Sequence, residues 1–330
     1  MRRILALITA LVLCLSLTAC KGEGEGETTT APEAQKETEK APENESEISP
    51  LLYKVTDSDG DVIWLFGSIH VGRDDFYPLP EYVTDAFFGA DALAVEADIV
   101  AFETDIEAIM KVQETFFYED YSYISEHIPS ELYSEAKAIL QEGGAYNDTM
   151  DMFKPFVWSS LIEELAMTDP QIEKDRGVDK YLITYANKKG IDVVEVESAM
   201  FQMEMFSSFS PALQEVLLSQ SVEEYKDLEE YNESLLSLLD LWASGDEEAF
   251  SAYLSADEAL EDEHRPLYEE YNEKLIVERN KNMTDFAVDA LERGEELFIC
   301  VGAAHVVGEG AMAESLESLG YTVEVIKNNE

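Results

Sequence analysis

An apolar, strand-like run that ends in Gly-x-x-His occurs twice in this chain, far apart in sequence. The two segments are Trp64-Leu65-Phe66-Gly67-Ser68-Ile69-His70 and Phe298-Ile299-Cys300-Val301-Gly302-Ala303-Ala304-His305. A buried strand that finishes in glycine lets the backbone turn sharply, and a His just past the turn sits at the carboxyl edge of the sheet. Open α/β sheets build their sites at that edge. The chain contains only 4 His, and two of them share this setting. The repetition predicts that distant strands meet at one edge with two imidazoles converging there, and metal binding is the first chemistry such a pair suggests. The spacing names no particular metal, because it lacks the dense pattern of a His-Glu-x-x-His helix or a zinc finger.

The rest of the pattern agrees with a sheet of this kind. Leu51 to Thr56 and Val62 to Gly67 flank Asp57-Ser58-Asp59-Gly60-Asp61, which reads as a β-hairpin with a glycine-containing turn. A helix around Glu81 to Phe88 leads to a short buried strand, Asp91 to Glu96. From Ile99 to Asp175 the periodicity is helical, with breaks at Pro129, Gly143-Gly144 and Pro155. A helix over Gly177 to Lys189 stops at Gly190 and precedes a strand over Ile191 to Val196. Helices return from Pro211 to Glu292, followed by a strand (Leu297 to Val301), a helix (Glu309 to Leu319) and a last strand (Tyr321 to Ile326). The expected fold is α/β: a central, largely parallel sheet with helical insertions that cap its active edge.

The amino terminus has a different character. Arg2 and Arg3 precede an apolar stretch from Ile4 to Leu17, and Leu17-Thr18-Ala19-Cys20 closes it like a bacterial lipobox. Residues 1–19 therefore read as a lipoprotein signal peptide, with Cys20 the lipidated amino terminus of the mature protein. The apolar run is short for a membrane span, so lipid, palmitate among its acyl chains, would hold the protein on the extracytoplasmic face of the cell membrane. Residues 20–49 are Gly, Glu, Thr, Pro, Ala and Lys-rich, with Ile48 the one branched aliphatic, and read as a disordered acidic tether to a domain over 50–330. Cys14 would leave with the signal and Cys20 would carry lipid, so Cys300 remains alone in an apolar strand as a packing residue. With 71 acidic against 22 basic residues and a net charge of −49, phosphate repulsion argues against nucleic acid and anionic headgroups as partners.

Carboxylates complete the candidate chemistry. Glu96 ends a strand, and Glu195 and Glu197, two residues apart, end another and point the same way. Two imidazoles plus a carboxylate is a usual set for a catalytic divalent metal with open positions. A second Glu would then serve as general base. Arg279 and Asn280 read either as a substrate clamp and oxyanion donor or as an ordinary surface helix turn. Asp179 reads as a first-turn carboxylate favoured by the helix dipole, or as the partner that holds a ligand His. His127 and His264 lie in polar helical contexts and are not candidates. No nucleophile elbow, phosphate loop or dinucleotide fingerprint is present.

The order of these segments resembles the TraB/GumN family, which includes the TIKI-type membrane-associated metalloproteases. The resemblance runs over about residues 51 to 326 and rests on Gly67-Ser68-Ile69-His70, Val95-Glu96-Ala97-Asp98, Gly177-Val178-Asp179, Glu197 with Gln202, Glu278 to Met283, and Val301 to Gly308. Ser68 stands where Thr is common, which keeps the hydroxyl. The resemblance implies an α/β fold related to erythromycin esterase and ChaN-type haem-binding lipoproteins. It implies His70, Glu96 and His305 at a divalent metal (Mn, Co or Zn), with Glu197, Arg279 and Asn280 as the catalytic residues around it. The expected function is a membrane-anchored, metal-dependent hydrolase acting on a peptide or small molecule, most readily a peptidase. The alternative is a lipoprotein that holds haem or metal without turnover. PrgY-like relatives that restrain peptide pheromones are the family precedent for a third role, inhibition through the acidic helical cap.

Overall fold

The structure, a computed structural model, describes residues 48–255 and 265–327. The expected signal peptide, Cys20 and all but the last two residues of the expected tether lie outside that range, as does His264. Six strands form one sheet: β1 (Leu52–Thr56), β2 (Val62–Ser68), β3 (Ala92–Val95), β4 (Asp192–Glu195), β5 (Leu297–Gly302) and β6 (Thr322–Ile326), in the order β4-β3-β5-β2-β1-β6. β4, β3, β5 and β2 are mutually parallel, and β1 runs against both of its neighbours, β2 and β6. The fold is therefore α/β with a mixed, mostly parallel sheet.

Local chemistry explains the hairpin that starts it. The Asp57 carboxylate accepts from the backbone N–H groups of Asp59, Gly60 and Asp61 at 2.8–2.9 Å, and Gly60 takes φ +96°, a conformation open to glycine. The parallel strands need crossovers, and helices supply them. Helices Glu81–Gly89, Val178–Lys189 and Glu278–Glu292 lead into β3, β4 and β5. Their apolar faces, together with Leu65, Phe66, Leu93, Phe298 and Ile299 of the sheet, make the main core.

A second core lies in the helical insertions that leave the sheet after β3 and β4. Helices Ile106–Glu114, Ser130–Glu142, Pro155–Ala166, Ala199–Ser207 and Pro211–Lys226 close around Trp158, Phe116, Phe156 and Leu218. The chain returns to the sheet through helix Arg265–Asn272 and one π-helical turn, Glu273–Val277, which passes without a break into helix Glu278–Glu292. Leu275 belongs to the second core and Met283 to the first. Arg279 lies between them in sequence, at the junction of the two layers.

Two element boundaries differ from expectation, and one helix is additional. Ile48 and Ser49, assigned to the tether by composition, are docked: Ile48 is buried and the Ser49 N–H donates to the Ala243 carbonyl at 2.7 Å. Ile48 is the one branched aliphatic of that segment. The helix expected from Glu309 begins only at Met312, because Gly308 and Gly310 take φ +115° and +70°. Helix Ala199–Ser207, absent from the sequence reading, starts at Ser198, whose hydroxyl caps it by accepting from the Phe201 N–H. Among the described residues no helix is long and apolar enough to cross a membrane.

Candidate functional site

Parallel strands deliver the two His segments to the same edge. β2 and β5 are neighbours in register, with Ser68 opposite Gly302. A Cβ at Gly67 would lie 2.9 Å from the Ala303 Cα, so glycine is what lets one turn rest directly on the other. The Gly67 carbonyl is fixed by the Trp242 indole N–H at 2.8 Å. His70 follows in a loop, whereas His305 lies in a single helical turn, Ala303–Val306.

Each imidazole is held through Nδ1. His70 Nδ1 is 2.7 Å from Asp179 Oδ2, and His305 Nδ1 is 2.7 Å from Asn280 Oδ1. Asn280 is itself fixed, donating from Nδ2 to the Gly310 carbonyl at 3.0 Å. Because both partner atoms are acceptors, Nδ1 carries the hydrogen, and in the neutral ring Nε2 keeps its lone pair. Among the described residues neither Nε2 has a hydrogen-bond partner. Close approach makes the first contact possible: a Cβ at Gly177 would stand 2.3 Å from the His70 carbonyl oxygen and 2.7 Å from Asp179 Oδ1.

The two rings are electrostatically unlike. Burial disfavours the charged form of His305, the Arg279 charge adds to that, and its pKa falls from 6.5 to about 3. Burial also works against the His70 imidazolium, but the charge and hydrogen bond of Asp179, with Glu96 behind them, outweigh it and leave the pKa raised.

Beside the imidazoles sits a buried cluster of two carboxylates and one guanidinium. Arg279 Nη2 donates to Glu96 Oε2 at 2.6 Å and to Glu197 Oε2 at 2.8 Å, and its Nε donates to Glu197 Oε1 at 2.9 Å. Gln202 Nε2 donates to the same two Oε2 atoms, each at 2.9 Å. The Gly302 N–H donates to Glu96 Oε1 at 2.6 Å. Burial penalises the Glu96 charge, but Arg279, both imidazoles and the Gly302 N–H together hold its carboxyl well below the usual range. Glu195 lies apart, capping the Asp98 N–H at 2.9 Å.

Arg279 and Asn280 are buried rather than set on a surface helix turn. Arg279 donates to Glu96 and Glu197, and Asn280 donates to the Gly310 carbonyl. Asn280 fixes a ring, and Arg279 is the counter-charge of a carboxylate pair. Asp179 lies against His70. Gln202, which the sequence reading placed with Glu197 without a role, bridges the two carboxylates. His127 is elsewhere, stacked on Tyr118 with centroids 3.9 Å apart, and Cys300 is buried in β5 with its thiol pushed up by burial and by Asp179 and Glu96.

The donor set suits a divalent cation in kind. Two ring nitrogens are unclaimed, Glu96 Oε1 keeps a lone pair, and Glu96 and Glu197 share the single guanidinium of Arg279. A Cβ on Gly302 would stand 3.2 Å from Glu96 Oε1 and 3.6 Å from His305 Cδ2, so glycine lets the end of β5 approach both side chains closely. Among the described residues, however, no three His, Cys, Asp or Glu side chains are gathered closely enough to form a ready ligand set.

Comparison with known proteins agrees with the motif order. The profile of the TraB/PrgY/gumN family matches residues 51–325. Two curated proteins, both called "Uncharacterized protein YbaP", from Escherichia coli K12 and Shigella flexneri, are each 26% identical over 141 residues, or 43% of this chain and 50% of theirs. The chain thus spans about half the length of the curated relatives it matches. No solved structure matches. With the family profile covering the sheet, both His turns and the carboxylate cluster, the chain belongs to the TraB/PrgY/gumN family.

Proposed function

We propose that this protein is a metal-dependent hydrolase, with a peptide as its preferred substrate, held on the extracytoplasmic face of the cell membrane by lipid on Cys20. The carrying observation is the pair of imidazoles at one sheet edge, each pinned through Nδ1 and bare at Nε2, beside the Glu96 carboxylate. In this reading His70, Glu96 and His305 hold a divalent ion, Mn, Co or Zn. Such an ion supplies Lewis acidity and makes a water acidic enough to attack a carbonyl at neutral pH.

The chain's own residues do the rest. Asp179 and Asn280 fix the tautomers, so that both rings present lone pairs rather than N–H groups. Glu197 is the second carboxylate, assigned to accept the proton of the attacking water. Arg279 keeps a fixed positive charge against both carboxylates and, through its field, offsets the negative charge that grows as the carbonyl is attacked. Asn280 acts through His305 and is a positioning residue. The acidic surface, net −49, favours cationic peptides by long-range attraction.

Metal analysis of the purified protein with its His70→Ala and His305→Ala variants tests the reading. Near-stoichiometric metal in the wild type, lost in both variants together with cleavage of a peptide library, is the expected result. Full metal content and full hydrolysis in both variants would overturn it. Metal or haem bound through the same His pair with no turnover of any peptide would leave a binding lipoprotein in its place.

A further inference from the structure

The first described residues of the chain dock on the end of helix Leu228–Ser244, and that helix end holds the His70 turn. Ser49 donates its N–H to the Ala243 carbonyl at 2.7 Å, Ile48 is buried, and the Pro50 carbonyl accepts from the Tyr82 hydroxyl. Gly245 closes the helix in the left-handed conformation, and a Cβ there would stand 1.9 Å from the Ser49 carbonyl oxygen. Gly190 and Gly320 close their helices in the same conformation with nothing within 4 Å. A left-handed cap alone would accept asparagine; the close approach of Ser49 is what demands glycine here. On its other side, the same helix end grips the loop that carries His70. The Trp242 indole N–H donates to the Gly67 carbonyl at 2.8 Å, just ahead of His70, and Asp240 accepts from Arg73, just beyond it. The exposed Arg73 pair contributes little energy, so the buried indole carries the link. Leu51, half-buried, lines a small apolar void together with Trp242, Gly67 and Ala303, beneath the contact between the two His turns.

The geometry points to residues 48–51 as a latch through which the amino-terminal side of the chain, the side that carries Cys20, sets the order of the His70 turn. Segments near a chain end open more readily than element interiors, and an opening spreads through the contacts that a segment shares. The latch lies at the same sheet edge as the His turns, because β1 follows it directly and runs against β2 with Leu52 opposite Phe66. While residues 48–51 are docked, the helix end is covered at Ala243 and Gly245, and Trp242 is held against Gly67. When they are lifted away or cut off, the Ala243 carbonyl loses its donor, the last helical turn loses its cover, and the indole no longer fixes the backbone that leads to His70. An intact amino-terminal side thus keeps the site assembled, and its loss loosens one of the two His turns. This adds a control to the proposed function, on which it rests for the identity of the site, and it requires no bound cation.

Hydrogen exchange read by mass spectrometry on the full-length protein tests the latch. Gly245→Ala drives a Cβ into Ser49, and Ile48→Ser, a milder change that stands in should the first variant not fold, removes the buried side chain of the latch. Gly190→Ala is the control, since it places the same left-handed alanine on a cap that nothing covers. Both latch variants should exchange about 10-fold faster over residues 48–53 and 66–73. Residues 156–166, in the second core, should keep wild-type rates, and Gly190→Ala should match wild type over 66–73. Peptide hydrolysis, where the wild type shows it, should fall in the latch variants and not in the control. Fast exchange over 48–53 with wild-type rates over 66–73 would overturn the latch, and so would wild-type rates over 48–53 in both variants. Faster exchange everywhere, residues 156–166 included, would also overturn it, because the effect would then be a general loss of stability. A wild type that cleaves no peptide would count against the hydrolase reading and leave the exchange rates to decide the latch.

Discussion

Replacing Arg279 by Met tests the electrostatic frame of the site most directly. The guanidinium is 5% exposed and Glu96 7%, and three hydrogen bonds of 2.6 to 2.9 Å tie it to Glu96 and Glu197. Methionine keeps the apolar stem and removes the charge. Two buried carboxylates would then rely on the Gln202 amide and the Gly302 N–H alone. Breaking a buried ion pair from one side costs about 3–5 kcal/mol, because the partner is left charged and desolvated. With a urea m-value of about 3 kcal/mol/M for a chain of this size, the denaturation midpoint should fall by about 1 M or more. The loss should also depend on pH. Glu96 has a depressed pKa in the folded protein, so it contributes stability above the ordinary carboxyl value, and that stability is lost as pH falls. Arg279→Met lacks that contribution, so the two proteins should converge on acidification. Neutralising the acids as well (Glu96→Gln and Glu197→Gln added to Arg279→Met) should recover most of the loss, since a wholly neutral cluster leaves no charge unpaired. Millimolar divalent cation should protect Arg279→Met more than wild type, because the single variant has gained excess negative charge. A loss below about 1 kcal/mol, or no recovery in the triple variant, would refute the buried-charge account.

Three other perturbations follow from the same geometry. Gly67→Ala puts a Cβ 2.9 Å from the Ala303 Cα and should cost about 1–3 kcal/mol in urea denaturation and loosen metal binding as the two His turns separate; Gly89→Ala, with nothing within 4 Å, is the control and should change stability by no more than about 0.5 kcal/mol. Asn280→Leu strips His305 Nδ1 of its acceptor and should weaken metal binding about 10- to 100-fold, whereas Asn280→Asp retains the acceptor and most of the affinity. The His305 pKa, lowered from 6.5 to about 3, gives stability that is complete above pH 6.5 and declines as pH falls towards 3. Against His305→Gln, metal-free wild type should therefore lose about 2–3 kcal/mol more between pH 7 and pH 4.5, and parallel curves would show that His305 is not held neutral. The difference between the two proteins carries that test, because acid also relieves repulsion among the 71 acidic residues.

The sheet was legible because its signals are local. Apolar runs bounded by glycine, the Asp57 to Asp61 turn and the stop at Gly190 each report on a few neighbouring residues, and each strand read from them is present. The meeting of the two His turns could be read for a similar reason, since parallel strands ending in the same pattern bring their ends to the same edge. What periodicity does not carry is the identity of the residue opposite. Arg279 and Asn280 are charged and polar residues in a helical stretch, a pattern equally typical of a solvated turn, yet they are 5% and 3% exposed. Their partners Glu96, Glu197 and His305 come from other elements, and nothing in the spacing of Glu278 to Met283 names them. Gln202 was harder still, because its helix depends on a Ser198 cap and has little amphipathic contrast. The reading of Ile48 as tether failed through averaging: one apolar residue in a polar segment does not shift its composition, but it suffices to dock the segment's end.

The helical insertions supply more than a cover for the sheet. The sheet and its turns contribute His70, His305, Glu96 and Glu197, and taken alone these would crowd two carboxylates beside two imidazoles with no counter-charge. Arg279 arrives at the end of a π-helical turn that leads out of the second core, and Gln202 arrives on a helix whose other buried residues are Met203, Met205 and Phe206 of that core. A π turn adds a residue to the helical register, and here it precedes the arginine by two positions. The carboxylates are thus neutralised and oriented only when the helical layer is docked. Docking of the layer and preparation of the site are consequently one event. A variant that loosens the second core, such as Trp158→Ala, should therefore weaken cation binding, although the indole N–H of Trp158 donates to the Met150 carbonyl and its ring packs on Tyr133 and Tyr146.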